Sequence, residues 1–277
     1  MKNILLPTDF SQNALNAIFY AMEFFANLEI NFFVINIQKT SGYTTSELFT
    51  SPSSSTVYKG VLNDNKLAIE ELIDSLKSKY DSERFTFKAL LDFDVFTDAI
   101  QQAVVSNKID LIVMGTNGAT GAKEVIFGSN TLKVIRQVDC PLITVPEGYK
   151  FQKIKSVLLS FSPQYKFEFS KIEPLNDVIS IHKSKLLILE VRDGTTTFKD
   201  VKNQKSIENR FVEFNPAYYV LEDIPIAMAI SAFEQLNPID LNVLFVAKEY
   251  FVSRFIFGSD TSKISYASKI PMMILHQ

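Results

Sequence analysis

The residues of this 277-residue chain best placed to do chemistry are glycines and hydroxyls that follow a short apolar run, Leu111-Ile112-Val113-Met114. After that run the chain reads Gly115-Thr116-Asn117-Gly118-Ala119-Thr120-Gly121, and then Gly128-Ser129-Asn130-Thr131. The spacing is Gly-x2-Gly-x9-Gly-Ser. With glycine near ~7% of typical residues, a random match in a chain this long is roughly a one-in-a-hundred event. Glycines at the end of a strand let the backbone turn tightly and approach a ligand without Cβ interference. Gly128-Ser129 then opens a helix, where free N–H groups and the helix dipole favour a phosphate, and Ser129 and Thr131 add hydroxyl donors. The same residues also read as turn glycines and a helix N-cap, and the motif alone leaves both readings open. Two related motifs are missing. No Gly-x-Gly-x-x-Gly follows the first strand, which disfavours a Rossmann dinucleotide site, and no Gly-x4-Gly-Lys-Ser/Thr is present, so this is not a P-loop NTPase.

Positioning such a motif requires a strand–loop–helix frame, and the first half supplies one. Apolar runs at 4–6, 32–37, 85–91, 111–114 and 141–145 read as five strands. Helical spacing recurs in Ala14, Ala17, Ile18, Ala21 and Phe25 with Ser11 as N-cap, in Leu62, Ile69, Leu72, Ile73 and Leu76, over 95–106, and over 129–137. Strands separated by helix-length segments are the signature of βαβ crossovers and a parallel sheet covered on both faces. A Ser/Thr-rich stretch at 40–56 reads as an exposed, mobile loop, and Pro146-Glu147-Gly148 as a linker.

The second half repeats the first. Setting residue n against n+130 aligns residues 110–141 without a gap and gives about ten identities in about thirty-two positions, where average composition gives roughly two. Upstream, Ile4-Leu5-Leu6 matches Val157-Leu158-Leu159, and residues 187–191 stand in for 32–37. The expected architecture is α/β: two tandem doubly wound parallel-sheet domains of five strands, 1–147 and 151–277, the second degenerate. Its second helix should be short or missing. Asp9 aligns with Ser162, Gly115 with Phe245 and Gly118 with Lys248, so the second copy reads as a scaffold that keeps just Gly258-Ser259-Asp260-Thr261.

Three signatures together resemble the universal stress proteins, in their ATP-binding branch: Ile4-Leu5-Leu6-Pro7-Thr8-Asp9-Phe10-Ser11, the Gly115 to Thr131 motif, and Cys140-Pro141-Leu142-Ile143-Thr144-Val145. The resemblance implies a parallel sheet of order 3-2-1-4-5 with ligand at the carboxyl ends of strands one and four. It also implies, by position, that Pro7, Thr8 and Asp9 meet the nucleoside, with Asp9 on the adenosine part. Ile37 would pack near adenine, and Met114 and Gly115 beside the nucleoside. Gly118, Gly128, Ser129, Asn130 and Thr131 would hold phosphates. The cofactor implied is ATP, or its products ADP or AMP, with Mg carried through the phosphates. The alternative for Asp9 is a cap on the first helix. The family's pairing through strand five implies an internal pseudo-dimer with 142–145 and 272–275 at the shared boundary, and a homodimer beyond that is open.

Composition bounds the rest. A chain 47% hydrophobic and 21% charged is not disordered, and a net charge of −3 gives no electrostatic reason to expect nucleic acid or a membrane surface as partner. No secretory leader or apolar span of transmembrane length is apparent, and one cysteine, Cys140, fits a reducing cytoplasm and a core position. His182 and His276 lack metal-ligand spacing. The expected function is a nucleotide-binding stress-response regulator that changes an unknown protein partner with occupancy, and not an enzyme beyond weak ATP hydrolysis. The alternatives are a slow ATPase or phosphotransferase, and a nucleotide-free interaction scaffold.

Overall fold

The computed structural model describes residues 1–38, 52–80, 83–116, 127–163, 168–192, 201–246 and 269–276. The first half runs β1 (Asn3–Pro7), α1 (Gln12–Phe24), β2 (Ile30–Ile37), α2 (Pro52–Lys79), β3 (Phe85–Asp92), α3 (Phe96–Asn107), β4 (Leu111–Gly115), α4 (Ser129–Gln137) and β5 (Leu142–Val145). The second runs β6 (Ser156–Phe161), α5 (Glu173–His182), β7 (Lys185–Arg192), α6 (Val201–Arg210), β8 (Ala217–Glu222), α7 (Ile226–Leu236), β9 (Leu241–Val246) and β10 (Met272–His276). Ser11 caps α1 as its type predicts, accepting from the Ala14 N–H at 3.2 Å.

All ten strands form one sheet of order β3-β2-β1-β4-β5-β10-β9-β6-β7-β8. Each half therefore has the order 3-2-1-4-5, and every pairing is parallel except β5 with β10. The duplication holds at the level of register. Ile4 faces Leu111 and Phe32, and the matching Val157 faces Leu241 and Leu186. At the seam Thr144 faces Met272, Ile143 faces Met273 and Leu142 faces Ile274, so the n-to-n+130 relation maps the pairing onto itself about Ile143 and Met273. Joining the halves there removes two apolar strand edges that would otherwise template aggregation.

Strand side chains alternate between two apolar layers. Ile4, Leu6, Leu111 and Val113 pack with Ile18 of α1, Ile73 of α2, Val178 of α5 and Ile207 of α6. Leu5, Ile112 and Met114 pack on the other face with Ile100 of α3, Ile135 of α4 and Ile230 of α7. Sheet and helices thus bury both faces, as runs apolar at every position require.

One expectation changes. Residues 52–56, expected within a loop, open α2, where Pro52 suits the first helical position because its missing N–H has no intrahelical use there; residues 39–51 lie outside the described residues. The second helix of the second half is short, as expected: α6 has 10 residues where α2 has 28. Pro146-Glu147-Gly148 is a tight turn, with the Tyr149 N–H donating to the Pro146 carbonyl at 3.1 Å and Gly148 at φ +70°. Beside it a cluster of rings closes the seam: Tyr20 and Phe24 of α1 pack on Phe151, and Phe24 lies 4.4 Å from the His182 ring of α5.

Candidate functional site

A cleft of about 540 Å³ opens at the carboxyl ends of β1, β2 and β4, between the starts of α1 and α4. This is where strand order reverses around β1, so neighbouring crossovers run to opposite faces of the sheet and leave a crevice. Its wall includes Pro7, Thr8, Asp9, Ile37, Met114, Gly115, Gly128, Ser129, Asn130 and Thr131, ten of the eleven residues singled out from the sequence. The eleventh, Gly118, lies outside the described residues, as do Asn117 and Gly121. In the second half Lys248 and the stretch Gly258-Ser259-Asp260-Thr261 also lie outside them.

The turn from β1 to α1 is built from local side-chain bonds. The Phe10 N–H donates to the Thr8 Oγ1 at 3.0 Å, and the Ser11 N–H to the Asp9 Oδ1 at 3.0 Å. Phe10 takes φ +61°, a left-handed conformation costly for a bulky residue, and these two bonds hold it there. Asp9 thus does cap the turn, yet it is exposed and borders the cleft, and its second oxygen is not used in the turn.

The α4 end is pinned to β4. The Gly128 N–H donates to the Thr116 carbonyl, and the buried Thr131 Oγ1 donates to the Gly115 carbonyl at 3.0 Å. The Thr131 hydroxyl is therefore spent on the strand rather than offered to a phosphate, which corrects the donor role read from its type. Its N–H, with those of Ser129 and Asn130, lies in the first helical turn, where no intrahelical acceptor exists. Gly128 has φ −59° and ψ 154°, extended backbone open to any residue. Gly115 is also reassigned. A Cβ there would sit 2.4 Å from Nδ2 and 2.7 Å from Cγ of Asn13, so its missing side chain makes room for Asn13 of α1 rather than for a ligand directly.

Ten further residues line the cleft that sequence reasoning did not assign to it, among them Asn13, Asn36, Gln38, Asn65, Asp94 and Phe96. One signal was available, since Asn36 interrupts the apolar run Phe32-Phe33-Val34-Ile35 and Ile37; it is 2% exposed. Its Nδ2 donates to the Thr8 carbonyl at 2.8 Å, tying β2 to the turn. Asn65 and Asp94 come from α2 and from the β3–α3 connection, and nothing in their local sequence marks them.

The arrangement suits an anionic ligand with an apolar end. Ile37, Phe96 and Met114 belong to one apolar cluster and give the cleft a hydrophobic side. Asp9 supplies a carboxylate acceptor, and the α4 N-terminus supplies N–H donors and a positive dipole end. The described lining carries carboxylates at Asp9 and Asp94 and no cationic side chain. Among the described residues no three His, Cys, Asp or Glu side chains form a metal cluster, and no helix is long and apolar enough to cross a membrane. Cys140 is buried against the Ile109 carbonyl, and desolvation pushes its thiol up to about 12, which makes it an inert core residue.

Comparison with known proteins agrees with this frame. The chain is 25% identical over 159 residues to the universal stress protein MJ0577 of Methanocaldococcus jannaschii, spanning 52% of this chain and 94% of that one. It is 24% identical over 149 residues to MJ0531 of the same organism, spanning 54% and 84%. A universal stress protein of Archaeoglobus fulgidus superposes along nearly the whole length, with a TM-score of 0.67 over 98% of this chain and 97% of that one at 15% identity, which shows a shared fold for both halves. The model of the universal stress protein family matches residues 1–146, more than half of the chain, and the chain belongs to that family.

Proposed function

We propose that the first half binds an adenine nucleotide, ATP in the first instance, and that the chain acts as a nucleotide-responsive regulator rather than as an enzyme. The observation that carries this reading is the convergence of Asp9, the Ile37–Phe96–Met114 wall and the start of α4 on one cleft of about 540 Å³, within the size range of small-ligand sites. Base, ribose and phosphates each meet a suitable surface: apolar side chains, a carboxylate acceptor, and helix N–H groups with Mg on the phosphates. A hydrolytic reading needs a general base or metal ligands set at the γ-phosphate, and the described lining offers Asp9 and Asp94 without a cationic partner for transition-state charge. We take residues 1–147 and 151–277 as the two domains, the second serving as a scaffold through β10.

Titration of the full chain with ATP and Mg tests this. The expected result is one nucleotide per chain, weakened about tenfold by Asp9→Ala through loss of a charged hydrogen bond and unchanged by Ser162→Ala in the second half. Two equivalent sites, or none, would overturn it.

A further inference from the structure

We propose that Gln38 is a specificity-determining residue of this cleft, reading the six-position of a purine and favouring an amino group over a carbonyl. The proposal rests on the nucleotide reading above and goes beyond it, from nucleotide to which purine.

The Thr8 carbonyl is a main-chain atom whose hydrogen-bonding role is fixed. It can only accept, so the Asn36 atom 2.8 Å from it must be the amide nitrogen. That places the Asn36 Oδ1 on the other side of the amide, where the Gln38 side chain lies 2.7 Å away. An oxygen that accepts demands a donor, so the Gln38 atom facing it must be Nε2. The remaining atom of Gln38, Oε1, is then the acceptor it can offer to the cleft it lines. Three residues at the carboxyl ends of β1 and β2 pass an orientation from the backbone to the binding surface, and an amide that could face either way in isolation has one polarity here.

An amino group at the six-position of a purine donates to such an acceptor. A carbonyl there places oxygen against oxygen, and a site with a fixed polar partner discriminates more strongly than an apolar one. The second half supports the assignment by contrast. At the same register positions β7 carries Glu190 and Arg192, and the Arg192 Nε donates to the Glu190 Oε1 at 2.7 Å. A guanidinium has no acceptor atom, so the second half cannot offer this feature.

The test is calorimetric titration of the full chain with ATP and with ITP, each with Mg, since inosine changes the purine at its six-position. Wild type is expected to prefer ATP by about tenfold. Gln38→Leu should bring the ratio close to one. Gln38→Glu loses the donor to Asn36 but keeps an acceptor, and should preserve the preference even if both affinities fall. A wild-type ratio near one, an unchanged ratio in Gln38→Leu, or a Gln38→Glu ratio that collapses like that of Gln38→Leu would each overturn the assignment while leaving the cleft a nucleotide site. Failure of wild type to bind either nucleotide would overturn the reading of the cleft, and this inference with it.

Discussion

At the carboxyl ends of their first two strands the two halves part company, although their registers match residue for residue. In the first half Asn36 and Gln38 form an uncharged amide relay beside an open cleft. In the second, Glu190 is 1% exposed and holds Arg192, which also donates to the Glu222 Oε1 at 2.6 Å, while the Tyr218 hydroxyl donates to the other Glu190 oxygen. The acidic Glu190 raises the Tyr218 phenol further beyond its burial-shifted range, so that hydroxyl stays a donor. Where Gly115 leaves space for Asn13, Phe245 is 4% exposed and sits in the core. Both halves keep the same sheet pairing, and they differ at the strand ends that line the cleft in the first half.

Gly115 is the position where substitution should separate the two halves most strongly. Gly115→Val forces Asn13 to move and should cost about 3 kcal/mol of stability through overpacking, with loss of nucleotide binding. Combining it with Asn13→Ala should recover part of the stability, measured by denaturant titration; a fully additive pair would show that Asn13 is not what the glycine accommodates. Next comes Arg192→Met, which leaves the buried Glu190 with only the Tyr218 hydroxyl. We expect a loss of about 3 kcal/mol with the ATP affinity of the first half unchanged, and altered affinity would mean that the halves are coupled.

Smaller effects test what the halves share. The Asp110 Oδ2 accepts from the Lys2 and Asn3 N–H groups at 2.7 and 3.0 Å, and the Asp240 Oδ2 from those of Lys155 and Ser156 at 2.7 and 2.9 Å. Asp110→Ala and Asp240→Ala should therefore each cost about 1–2 kcal/mol, by similar amounts in thermal or denaturant unfolding. The smallest effect lies at the seam. Desolvation lowers His182 from 6.5 to about 4, so the folded state resists a proton that the unfolded chain takes up. Stability should then fall as pH drops from about 6.5 toward 4, by about 1 kcal/mol once solvent screening is allowed for. The decline should vanish in His182→Phe; a pH profile identical to wild type would place the acid sensitivity elsewhere.

Much of the frame was legible in the residues because its causes are local. Helix α4 starts at Ser129 and ends at Gln137 as its spacing predicts, Ser11 caps α1, and the duplication announces the second sheet half. The exposed loop expected at 52–56 failed for a local reason too, since Pro and Ser suit the first turn of a helix as well as a loop. Pro7, Asp9, Ile37 and the α4 entry came together as one set only through the resemblance to the universal stress proteins; residue type and spacing alone marked the glycine-rich motif and the helix entry. Only the tertiary structure decided what those residues face. That Gly115 serves Asn13, that the Thr131 hydroxyl is spent on the Gly115 carbonyl, and that Asn36 turns Gln38 are contacts between segments 16 to 102 positions apart or between two side chains oriented by a main-chain carbonyl. Residue type fixes how many donors and acceptors a side chain has. Which of them remain for a ligand depends on the partners the fold brings within about 3 Å, and that is set by packing across the sheet.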